Sequence, residues 1–219
     1  MVAVRALARL ILASPAPLIA SAALAATPLD DLIEPAAGQS ACFTRVYDGD
    51  HLRRNPQQRT AAITVWLSYE QMGGSPPGIG LGLGLGISRR GDPTPLFAQG
   101  GCNWDERANR NTSDQRLINR FKKDAGTICI MSAEPDVFEA TSAQEGGHLI
   151  FDRGQDRDTL MLYLDDRLTM VKRTNRSRQL DTRFGPDDRV FLLRRSDSKA
   201  CAVVENAVTE PEPGVRRRR

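Results

Sequence analysis

From Cys42 onward the chain is written in short runs where apolar and polar residues alternate. Ile63, Val65, Leu67 and Tyr69 fall on one side of such a run, opposite Thr64, Trp66 and Ser68. A period of two marks a half-buried β-strand. Leu160, Leu162 and Leu164 repeat the pattern, as do Leu168 with Met170 and Val190 with Leu192. Ile128–Met131, Val137–Ala140 and Leu149–Phe151 are further strand candidates. Turn-forming clusters separate them: Gly73–Gly78, Gly91-Asp92-Pro93, Gly146-Gly147, Arg153-Gly154-Gln155 and Gly185–Asp188. About eight to ten short strands joined this way predict an all-β, mainly antiparallel domain, either a single β-barrel or a β-sandwich. Strands do not alternate with helices, which argues against a doubly wound α/β fold. One short inserted helix is predicted over Ser113–Lys123, with Ser113 as its cap, Leu117, Ile118 and Phe121 as a partial stripe, and Gly126 to end it.

The most unusual run is Ile79–Ile87, in which Gly80, Gly82, Gly84 and Gly86 alternate with aliphatic residues. The dinucleotide fingerprint needs an offset of three between its second and third glycines, and every offset here is two. A strand with one aliphatic and one bare face fits better. Interior glycines weaken a strand, so something must approach that bare face closely: a neighbouring backbone, an aromatic such as Trp66, or a ligand. Tight packing is the first expectation. Gly80, Gly82, Gly84 and Trp66 are the candidate ligand-binding residues if the face is a floor.

Composition changes the picture at the two termini. Arg5 and Arg9 precede an apolar stretch from Leu10 to Leu24, and Ala23-Leu24-Ala25 offers a signal-peptidase site. The stretch is shorter than the ~20 residues of a membrane span, and Pro15 and Pro17 interrupt it. The expected organisation is a signal peptide over 1–25, a leader over 26–40, a β-rich domain over 41–205 and a disordered basic tail over 206–219. The formal net charge is +3. Arg5, Arg9 and the terminal Arg216–Arg219 account for that excess, so the body is close to neutral. A neutral body argues against nucleic acid as a partner. The tail could touch anionic lipid at ~1 kcal/mol per residue, which is too little to make a membrane the main partner.

Export also changes how the cysteines read. Cys42, Cys102, Cys129 and Cys201 would lie in an oxidising compartment, where an even count predicts two disulfides. Three pairings are open. The favoured one joins the first and last strands through Cys42–Cys201 and sets Cys102–Cys129 inside. No CxxC pair exists, so zinc is disfavoured and no metal or cofactor is expected.

Candidate chemistry is sparse. Asp48, Asp50 and His51 put two carboxylates and one of the two histidines together, and could serve a hydrolase. A turn whose Asp side chains bond backbone is the simpler reading, with His51 opening a helical turn. His148 reads as a strand residue after a turn. Asp152, Asp156 and Asp158 depart from the EF-hand pattern and are interleaved with Arg153 and Arg157, as at a solvated hairpin tip. No nucleophile elbow, S-x-x-K, H-E-x-x-H or P-loop occurs.

The blocks Cys42–Asp48, His51-Leu52 with Pro56-Gln57, Gly101–Trp104 and Asp187–Leu193 followed by Cys201 resemble a family of uncharacterised exported bacterial proteins. The resemblance implies export to the periplasm and a Cys-stapled β fold, and it brings no activity with it. Ser132 stands where members often carry a further Cys, so the resemblance leaves the pairing open. The leading expectation is a non-catalytic binding protein of β-barrel type, for a small ligand or an envelope protein. The alternatives are a hydrolase using Asp48, Asp50 and His51, and a purely structural envelope component.

Overall fold

The computed structural model describes residues 27–73, 77–105, 126–132, 146–173 and 175–209. The proposed signal peptide, the helix over 113–123, the strand over 137–140 and the tail from 210 lie outside the described residues. Ten strands form one sheet: β1 (Ser40–Val46), β2 (Thr60–Met72), β3 (Gly78–Arg89), β4 (Asp92–Asp105), β5 (Gly126–Ser132), β6 (His148–Arg153), β7 (Thr159–Leu164), β8 (Arg167–Lys172), β9 (Asn175–Arg183) and β10 (Val190–Ser196). Helix α1 (Gly49–Arg54) joins β1 to β2, and helix α2 (Ser198–Thr209) follows β10.

Pairing runs β3-β2-β1-β10-β7-β6-β5-β4, and β3 also pairs with β4, so eight strands close into an antiparallel barrel. Closure settles the choice between barrel and sandwich and leaves these eight strands without free edges. The remaining two strands, β8 and β9, form a hairpin, with β8 joined to the start of β4 at Leu96↔Lys172 and Phe97↔Val171.

The alternation of β2 and β3 sorts their residues as expected. Ile63, Val65, Leu67 and Tyr69 meet Leu81, Leu83, Leu85 and Ile87 in the main core. Those side chains, with Phe43, Phe151, Phe191 and Leu193, fill the interior. Such a barrel is a packed core, not a ligand cup. The phase of β10 is opposite to that expected: Phe191 and Leu193 are buried, while Val190 and Leu192 face outward, 43% and 36% exposed.

Both ends of the barrel are stopped. Residues 26–40 were expected to be a passive leader, yet Leu29, Leu32 and Ile33 are buried in the main core. Arg195 donates to the Leu32 carbonyl at 2.7 Å, and Arg153 pairs with Asp31. At the other end the β8–β9 hairpin contributes Leu168 and Met170 to the core, and Phe184, just past β9, joins them. Gly147 makes this crossing possible: it sits at φ +103°, and a Cβ there would collide with the Arg167 carbonyl oxygen.

The disulfides are Cys42–Cys201 and Cys102–Cys129. The second bridges directly paired residues of β4 and β5 inside the barrel. The first does not join two strands as expected, because Cys201 lies on α2 and ties that helix to β1. The folded domain correspondingly runs on past 205 to Thr209, and residues 206–209, expected in the tail, are helical. Asp197 caps α2, its carboxylate accepting from Lys199 N–H at 2.8 Å.

Candidate functional site

What lies against the glycine face is α2. Register pairs Trp66 with Gly84, Ser68 with Gly82 and Glu70 with Gly80, so these β2 side chains share the barrel exterior with the glycines. On the other flank Gly86 faces Phe97 and Gly84 faces Gln99. Cys201, Val204 and Ala207, spaced by threes along α2, are buried in a second, smaller cluster with Cys42, Trp66, Phe97 and Val171. The helix comes so close that a Cβ on Gly84 would sit 2.9 Å from Val204 Cγ1, and one on Gly86 would sit 2.7 Å from Val204 Cγ2. Glycine is thus required where the helix lies flat on the sheet. Burying Val204 completely contributes about 2 kcal/mol to that contact.

Among the described residues α2 reaches Thr209. Beyond Val208 and Thr209 a groove of 190 Å³ opens on the barrel wall, with Gly82 and Gly84 in its floor and Trp66, Ser68, Glu70 and Gln99 around it. Three of the four candidate ligand-binding residues therefore meet there: Gly82, Gly84 and Trp66. Gly80 is separated from it, since the Met72 side chain covers the space a Cβ would take. Trp66 is 9% exposed and presents only an edge. The polar character comes from the Ser68 hydroxyl, 3.4 Å from the Glu70 carboxylate, and from the Gln99 amide. The carbonyl end of α2 adds partial negative charge beside Glu70.

Ser68 and Glu70 follow from the alternation that placed Trp66, and so were legible on the outward face of β2. Gln99 enters only through the β3–β4 register, and Val208 and Thr209 only through the docking of α2. No local sequence signal marks those three as neighbours of Gly84.

The hydrolase candidates are occupied elsewhere. Asp48 caps α1, accepting from the His51 N–H at 2.7 Å, and Asp50 pairs with Arg53 one turn on. His51 Nε2 meets Gln58 Oε1 at 2.9 Å, and its ring stacks on Tyr47 at 4.5 Å between centroids. This is the turn expected from the sequence, with every member doing structural duty. His148 is buried on β6, three strands round the barrel from β1. Asp156 holds the β6–β7 hairpin tip, its carboxylate accepting from the Asp158 N–H and the Thr159 hydroxyl, both at 3.0 Å. Among the described residues no three His, Cys, Asp or Glu side chains are grouped to hold a metal.

Two tyrosines on the inner wall carry shifted ionisation. Burial raises the hydroxyl of Tyr69, with Asp30 adding to the effect. Burial also raises Tyr47, against the opposing pull of Arg45. Neither lies in the groove.

Comparison with protein-family models, with curated proteins and with solved structures finds no match for the chain. The fold class, a closed antiparallel barrel with a disulfide-tethered helix on its wall, is what the structure itself defines. Its two disulfides point to an oxidising, exported environment. Among the described residues no helix is long and apolar enough to cross a membrane.

Proposed function

We propose that this is a non-catalytic binding protein of the periplasm, and that it binds on the outside of a filled barrel. The observation that carries the reading is the groove over Gly82 and Gly84 among the described residues: a bare strip of sheet beside Trp66, Ser68, Glu70 and Gln99, next to the point where α2 packs on Gly84 and Gly86. An open floor without side chains suits a flat or extended ligand, which a small molecule or a segment of an envelope protein would supply. The stapled framework and the resemblance of the Cys42–Asp48 and Asp187–Leu193 blocks to an exported family support the periplasmic location.

A purely structural role is the second reading, favoured by the packed interior and its two stopped ends. Thermal denaturation against a panel of short peptides and oligosaccharides separates the two. A ligand that raises the Tm of the native chain and leaves a Ser68→Leu variant unmoved supports groove binding. A panel that shifts neither protein supports the structural role.

A further inference from the structure

A second cleft, of 560 Å³, lies at the α1 end of the barrel and shares no residue with the glycine groove. Pro56, Gln57 and Arg59, from the α1–β2 connection, form one side; Arg183, the last residue of β9, and Phe184 and Pro186 beyond it form the other. Two more arginines are bound into the same corner. The Arg90 N–H donates to the Arg59 carbonyl at 2.7 Å, and the Arg90 guanidinium donates to the Leu52 carbonyl at 3.1 Å. The Arg89 guanidinium donates to the Arg183 carbonyl at 3.4 Å.

Among the described residues, none of these four guanidinium groups forms an ion pair. The nearest buried carboxylate, Asp188, is taken up by the backbone N–H groups of Arg59 and Thr60, at 2.9 and 2.8 Å. The opposite end of the barrel is built differently: there Arg153 pairs with Asp31 and Arg195 with Asp158. The Asp188 carboxylate, beside the Arg59 backbone, offsets part of this positive field. The four guanidinium groups, without carboxylate partners of their own among the described residues, still repel one another, and a bound anion turns that cost into attraction. Guanidinium is also the group whose planar fork matches phosphate oxygens two at a time. Two prolines and the buried Phe184 help to line the cleft, and its volume is that of a small-molecule site, not of a single ion.

We infer that this cleft binds a phosphate-bearing ligand, with Arg59 and Arg183 contacting the phosphate and Arg89 and Arg90 adding to the positive field. The phosphate could belong to a soluble molecule or to a lipid headgroup, and the test has an arm for each. The full chain is titrated calorimetrically with tripolyphosphate, and is sedimented with phosphatidylcholine vesicles containing phosphatidylglycerol. Saturable binding in either arm is expected, weakened tenfold or more by combining Arg59→Gln with Arg183→Gln, and unchanged by turning Arg216–Arg219 into glutamines. The double variant replaces exposed side chains, so its Tm should stay close to that of the native chain. If it does not, the charge-keeping pair Arg59→Lys and Arg183→Lys is used, and binding weakened with the Tm retained supports the same site. Absence of binding in both arms overturns the proposal. So does an affinity untouched by the cleft variants, or one lost only with the terminal arginines.

Discussion

The two faces of β3 are made of the same nine-residue run and could hardly differ more. Inward, Leu81, Leu83, Leu85 and Ile87 pack with β2 in the buried main core. Outward, the intervening glycines offer only backbone, and that bareness is used twice: Gly84 and Gly86 admit α2, while Gly82 floors an open groove. The difference teaches that completeness and binding capacity are divided between the faces. The interior specifies the barrel, and the exterior is where the proposed partner would be received.

The comparison breaks most visibly on the inner face. Leu85→Ala removes a fully buried side chain and should cost about 3 kcal/mol, read as a lower midpoint in urea at unchanged slope. On the outer face the effect should be smaller and depend on position. Gly86→Val drives a side chain into Val204 and should cost about 1–3 kcal/mol. Val204→Ala in the same chain should recover part of that loss, because the clash goes with it. Gly101→Val, outward on β4 with nothing within 4 Å, should stay within about 0.5 kcal/mol of the native chain. Equal losses at Gly86 and Gly101 would refute close approach of α2.

The smallest effect uses Tyr69, which faces Leu81 across the inner wall. Burial raises its hydroxyl above the ordinary value of 10.0. Above that pH the unfolded chain gives up the proton while the folded chain keeps it. The tyrosine's contribution is therefore fully present below pH 10 and is lost as pH rises through the folded value. Tyr69→Phe should flatten the alkaline decline of stability that sets in above about pH 10, with little change at pH 7.

The strands were legible where one face is strictly apolar and the other is not, as in β2 and β3. In β10 the run Val190-Phe191-Leu192-Leu193 is apolar on both faces, so alternation could not choose its phase. Leu29, Leu32 and Ile33 carry no strand period and read as leader, although they stop one end of the barrel. The stripe of α2 is built of small residues, Cys201, Val204 and Ala207, and its cysteine was counted with the strands. The bare floor of the groove and its Trp66–Ser68 edge could be read from two adjacent segments. The helix that bounds it is brought there by a disulfide 159 residues long in sequence, which no local pattern reports.

That same span has a consequence for how the chain is assembled. β1, near the start of the described residues, is hydrogen-bonded to β10 and tied to α2, near their end. Neither the ring nor the staple can form until almost the whole described chain has been delivered. Closing so long a loop is entropically costly and slow relative to local pairing. A chain wired in this way acquires its closed, stapled form only in the last steps of folding, after the local hairpins have paired.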